Sequence, residues 1–250
     1  LVYAEGGTAS VPVLVTVGNA VSTDPVGPDN HGYYAFDNTD VGYALAPTYN
    51  WVEIAPDAGG SGTDVGLQDF ARWQDDVVTM DLPFPFTYYG VVQTKLSICS
   101  NGWVSFGTTD LRHYRNWTLP SPGTPDNMIA AYWDDHYVQA SNSGIYQWYD
   151  AANHRLIIEW DNVANGVTDV PETFQLILID PAYNAGDTGD GIITMNYQSI
   201  TQTDQETGYG TVGIQNKDRN DAVLYTYFNL YPGGAAPLAA GRSITFRTVV

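Results

Sequence analysis

The loop DPAYNAGDTGDG, residues 180–191, sets Asp180, Asn184, Asp187 and Asp190 within one turn-rich stretch. Carboxylate and amide oxygens are the hard donors calcium takes. The interspersed glycines let backbone carbonyls turn inward toward an ion that wants about six to eight oxygens. The spacing is not that of an EF-hand, and the competing reading is an Asx-rich turn whose side chains bond their own backbone. Asp134 with Asp135, and Asp37 with Asp40, are further acidic pairs open to calcium or to turn capping. No cofactor other than calcium is indicated. Glycoside hydrolysis needs only two carboxyls held a few ångströms apart, and Asp134, Asp135 and Glu159, near strand ends, are the residues it could use. No GxSxG elbow, HExxH helix, phosphate loop or dinucleotide fingerprint occurs, so the chain is not expected to be an enzyme. The histidines His31, His113, His136 and His154 lie in or beside polar segments and are expected at the surface.

Aromatic clusters offer a second chemistry. HYRNW (residues 113–117), YQWY (146–149) and YTYF (225–228) could present flat rings to sugars, or serve as core and cross-strand pairs. Asn116-Trp-Thr118 is a formal glycosylation sequon. The lone Cys99 excludes an intramolecular disulfide and a multi-cysteine zinc site, and strand alternation predicts a small buried hydrophobe there.

The elements that must position these residues are strands. In LSICSNGWVSFG, residues 96–107, two alternating apolar runs meet at Ser100-Asn101-Gly102, where Asn and Gly tolerate the positive φ of a tight hairpin. Short β-branched and aromatic runs follow one another from residue 77 onward. They predict strands over 77–81, 84–88, 94–99, 103–106, 128–133, 144–149, 155–161, 173–179, 191–197, 210–215, 223–228 and 243–249. No convincing helix interrupts them, so the fold is an all-β antiparallel sandwich, jelly-roll-like. Alternation over 155–161 puts Leu156, Ile158 and Trp160 on one face and Ile157, Glu159 and Asp161 on the other, and one of these faces is expected to be wet. The nearly continuous run FQLILI, residues 174–179, belongs at a sheet centre.

Ahead of the sandwich stands SVPVLVTV, residues 10–17, a β-prone run apolar on both faces. Such a strand must be covered on both sides or pair with something outside the chain. It predicts an N-terminal β arm, followed by a rigid turn-rich linker over 24–30. The division is then an arm and linker over 1–30 and a sandwich domain over 31–250.

The whole chain has 250 residues with Lys+Arg 9 and Asp+Glu 28, net charge −19. That charge repels phosphate backbones and anionic lipid, which excludes nucleic acid, and no apolar stretch is long enough for a membrane-inserted helix. Charged residues are 15% of the chain while 25 Gly, 14 Pro and 18 Tyr are present, a balance that predicts an exported, extracellular or cell-surface protein. With no initiator Met and no signal peptide, a processed form or an excised fragment is expected.

The motifs DLPFPFTYYG (81–90), SNGWVSFG (100–107), MIAAYWDD (128–135), ETFQLIL (172–178) and GTVGI (210–214), in that order, resemble the nidogen-like β-sandwich. They are also similar to related modules of very large bacterial secreted and surface proteins, including accessory regions beside secreted peptidase domains. The resemblance covers residues 77–248, and GYYAFDNTD, residues 32–40, is similar to the segment that commonly precedes it. It implies a non-catalytic module used for adhesion, assembly or spacing at a cell surface. Its expected partners are other copies of itself or neighbouring domains of a larger surface protein. The alternative is an accessory or carbohydrate-binding module of a secreted multidomain hydrolase or peptidase, with glycans as ligands.

Overall fold

The computed structural model describes residues 19–139, 142–201 and 210–250. The arm run over 10–17 lies outside the described residues. The strands are β1 (Tyr33–Asp37), β2 (Thr63–Asp64), β3 (Val77–Tyr88), β4 (Val91–Cys99), β5 (Trp103–Phe106), β6 (Met128–Trp133) and β7 (His136–Tyr137). They continue with β8 (Gly144–Asp150), β9 (Arg155–Asn165), β10 (Pro171–Ile179), β11 (Ile193–Ser199), β12 (Thr211–Gln215), β13 (Ala222–Thr226) and β14 (Arg242–Thr248). A single 3-10 turn, Pro56–Ala58, is the one helical piece among the described residues. Two antiparallel sheets pack face to face. The first runs β1-β14-β11-β10-β9-β8-β2 with β7 beside β9, the second β13-β12-β6-β5-β4-β3. The expected all-β sandwich is the fold.

Between the sheets lies one large apolar core, in which Trp160 stacks on Phe174 at 5.1 Å and Phe86 on Phe106 at 5.0 Å. One flank is closed where Tyr225 of β13 donates its hydroxyl to Asp37 of β1, 2.6 Å away. On the opposite flank Phe84 of β3 packs on Tyr149 of β8, ring centroids 5.9 Å apart.

The SNG hairpin forms as read, with Cys99 opposite Trp103. Gly102 has φ 73° and accepts the amides of Ala131 and Tyr132 on its carbonyl. A Cβ there would stand 1.9 Å from the Tyr132 carbonyl oxygen, so both conformation and close approach demand glycine. Cys99 is wholly buried, and burial pushes its thiol pKa up.

Three features depart from the sequence reading. Residues 77–81 and 84–88 are halves of one strand, with the register against β4 shifting between Asp81 and Phe86. Pro83 and Pro85 donate no ladder bond there, so the strand bends instead of ending. The outer face of β9 is not wet: Ile157, Glu159 and Asp161 are all buried. Residues 51–60 strap across it, and Ile54 packs on Ile157 and Ile177. Finally, His136 is fully buried rather than exposed, and its Nε2 lies 2.9 Å from Glu172 Oε2.

Candidate functional site

The acids proposed for calcium turn in different directions. Asp180 Oδ1 accepts the amide of Ala182 at 2.9 Å, while its carbonyl takes the amides of Tyr183 and Asn184, an Asx turn. Asp187 and Asn184 are exposed, and Asp187 Oδ2 takes the amide of Val250. Asp190 points into the protein, accepting the Gly90 amide at 2.7 Å, the Thr188 hydroxyl and His31 Nε2 at 2.9 Å. Burial pushes the Asp190 carboxyl up, but the bonds from Thr188, Gly90 and His31 outweigh it and hold the group below the usual range. Among the described residues, no three His, Cys, Asp or Glu side chains converge where they could share a metal ion.

The other acidic candidates are likewise placed by internal bonds. Asp134 Oδ1 accepts the Asp135 amide at 2.8 Å, and its Oδ2 takes the Asn165 carboxamide at 3.2 Å. Asp37 is a hub that gathers Tyr225, Thr39, the Ala236 amide and the Arg242 guanidinium, and Asp40 Oδ2 accepts the Asp37 amide. Glu159 accepts the Ile54 amide at 3.3 Å and Gln175 Nε2 at 2.6 Å beneath the strap. Burial, with Glu53 and Asp161 nearby, pushes its carboxyl up to about 8; Asp134 and Asp135 are not among its causes. The sequence reading passed over Asp69. It is fully buried, and neither of its oxygens meets a well-aligned donor among the described residues. Burial pushes it up to about 7, with Asp75 and Asp135 adding to the shift and the nearby Ser100 hydroxyl opposing it.

The aromatic clusters divide. Tyr225 is core, and Tyr146 and Trp148 pack under the strap with Ile54. Trp117 is 56% exposed and meets Tyr227 at 6.2 Å, forming with Leu230 a small apolar patch outside the second sheet. Asn116 of the sequon is buried, its carboxamide bonded to Thr211 Oγ1 at 3.2 Å, so it presents no side chain for a glycan.

β3 is an outer strand of the second sheet. It pairs only with β4. Ser100 donates its amide to the Asp76 carbonyl and Gly107 to Lys95, which fixes the alternation on both sides of β4. The backbone groups of Val77, Thr79 and Asp81 therefore face outward, and no hydrogen bond among the described residues meets them. Apolar side chains flank this edge on both faces, Val78 and Met80 against the main core and Val77 against the Cys99 and Trp103 cluster. By contrast the outer edge of β1 is covered by the chain itself, through paired bonds between Val26 and Ala35 and one from Asp29 to Tyr33.

Residues 19–30 are fastened to the β1 and β13 flank. Thr39 donates to the Ser22 carbonyl, Tyr43 to Asp24, and Asn30 to Asp221. Ala20 lies against Gly233, and Asp24 and Pro25 against Gly234, so close that a Cβ on either glycine would collide. The segment read as a linker over 24–30 is thus held on the sandwich surface.

No helix among the described residues is long and apolar enough to cross a membrane. No curated protein and no solved structure matches this chain. The family model described as NIDO related matches residues 43–246, starting well ahead of the motifs at 77, and the chain belongs to that NIDO-related family.

Proposed function

We propose that the chain is a non-catalytic structural module of a surface protein, joining copies of itself, or neighbouring domains of a longer protein, by strand addition. The observation that carries this reading is the open outer edge of β3 at residues 77–81, in a chain that also contains an apolar, two-faced β-prone run. Unpaired ladder groups on an edge strand are a template for another strand. The non-catalytic part is supported by two of the acids open to hydrolysis: Asp134 and Glu159 bond to backbone amides and carboxamides of their own domain. Light scattering across a concentration series, followed by electron microscopy, tests the reading. Concentration-dependent growth into fibres is expected, and a monomer at every concentration would overturn the joining of copies.

A second reading, carbohydrate binding as an accessory module beside a secreted hydrolase, is favoured by the exposed Trp117 beside Tyr227 and Leu230. Retardation in polysaccharide affinity gels, lost in Trp117→Ala, would select it.

A further inference from the structure

Between β5 and β6 the chain makes a long loop whose main-chain groups are engaged by its own frame. The His113 carbonyl accepts the indole N–H of both Trp103 and Trp133, at 3.0 and 2.9 Å. The Trp117 carbonyl accepts the Thr211 hydroxyl at 2.8 Å, the Ser121 amide donates to Gln215 Oε1 at 3.0 Å, and the Thr124 carbonyl takes the Arg219 guanidinium at 3.2 Å. This frame leaves a cavity of about 370 Å³, with buried Trp133, Ser121 and Thr124 in its wall and exposed His113, Arg115 and Trp117 at its mouth. That volume lies in the ~300–1,000 Å³ range of small-ligand pockets.

We infer that this cavity takes a glycan end carrying one carboxylate, a uronic-acid sugar, with Arg115 on the carboxylate and Trp117 against the apolar face of the ring. This rests on the carbohydrate-binding reading above and names its ligand class. Arg115 carries the argument. In a chain with 28 acids and nine Lys and Arg, six of those nine stand in ion pairs, while Arg115 meets no carboxylate among the described residues. Its loop neighbours are matched: Arg112 pairs with Asp76 at 3.3 Å, and His113 acts on Asp75. A guanidinium left over at the mouth of a pocket is a bidentate donor waiting for a carboxylate. Trp117, 56% exposed beside it, offers the flat apolar surface that the C–H face of a sugar covers. An acidic peptide fits less well, because its own N–H and C=O groups need partners and the wall's main-chain groups are already engaged. Sugar hydroxyls can stay in water at the open mouth. A net charge of −19 repels a ligand with many charges, so one carboxylate on the bound unit suits the site.

Saturation-transfer NMR on the intact chain tests it, with methyl β-D-glucuronide and its neutral counterpart methyl β-D-glucoside as probes. The glucuronide is expected to bind at least about tenfold more tightly than the glucoside, the difference one charged hydrogen-bonded pair makes. Arg115→Gln should bring the glucuronide down to the glucoside's level, and Trp117→Ala should abolish binding of both. Both side chains are exposed, so the variants should melt like the intact chain. Equal binding of the two sugars, unchanged in Arg115→Gln, would overturn the acidic-sugar assignment and leave carbohydrate binding standing. So would retardation in neutral polysaccharide gels by a chain that ignores the glucuronide. A short acidic peptide that binds as tightly as the glucuronide would overturn the assignment in favour of a protein ligand. No binding of either sugar or of any polysaccharide would overturn both the assignment and the reading beneath it.

Discussion

His136 and Glu172 form an ion pair sealed inside the protein, Nε2 to Oε2 at 2.9 Å with both side chains closed to solvent. Burial pulls the imidazole pKa down, and the bond and charge of Glu172 pull it above its usual value. Glu172 also holds the Thr201 amide and hydroxyl, so the pair anchors the end of β10. Glu172→Gln should cost about 3 kcal/mol, because it leaves a buried imidazole without its counter-charge. Urea unfolding measures it, and a change below about 0.5 kcal/mol would mean that the pair is not what holds this corner.

Gly102 gives a sharper expectation. Its φ of 73° and the 1.9 Å approach to the Tyr132 carbonyl leave no room for a side chain. Gly102→Ala should lose at least about 2 kcal/mol, from left-handed strain plus displacement of β6. An unchanged melting temperature would contradict the hairpin packing.

The buried acids set a pH dependence with a definite sign. Burial raises Glu159 to about 8, Asp69 to about 7, and Asp40 and Asp161 to about 6. A raised carboxyl binds its proton more tightly folded than unfolded. Its contribution is fully present below the unfolded value near 4 and is lost as pH rises through the folded one. The melting temperature should therefore fall between pH 5 and pH 8.5, and Glu159→Gln should flatten the upper part of that slope. Asp190, whose carboxyl is held low, works in the opposite sense, its contribution disappearing in acid. Melting curves that rise toward pH 8.5 would contradict the burial of these groups.

On the 180–191 loop the two acids should behave differently. Asp190→Asn is expected to cost about 1–3 kcal/mol, because the Gly90 amide and His31 lose a buried carboxylate. Asp187→Asn should be nearly silent. Melting is expected to be the same in excess chelator and in millimolar calcium. A calcium-raised melting temperature that Asp187→Asn abolishes would instead place a cation on the loop.

How far the sequence carried the fold can be judged from single residues. Asn101-Gly102 announced a hairpin because turn geometry is local. Pro83 and Pro85 misled, since a proline's missing donor predicts a break but a bulge can absorb it. One face of β9 was expected to be wet because the strap that buries Ile157 and Glu159 lies about a hundred residues upstream, and alternation reports two faces without saying what covers each. In the acid loop the same limit concerns direction. Composition showed oxygen donors, but Asp190 is aimed by Gly90 and His31, far away in sequence. His136 was misplaced because its partner Glu172 belongs to another strand. The open edge of β3 had no sequence signal at all, being defined by which strand is absent beside it.

Cys99 turns the molecule into its own opening gauge. It is the chain's one thiol, and it is enclosed in the strand that pairs with β3, opposite Val77. A thiol reagent can reach it only when that corner separates, so the labelling rate in native buffer reports the free energy of opening there without any substitution. An extra strand laid along β3 would slow that rate, and the same chemistry, run on polymer and on monomer side by side, would count how many corners are clasped.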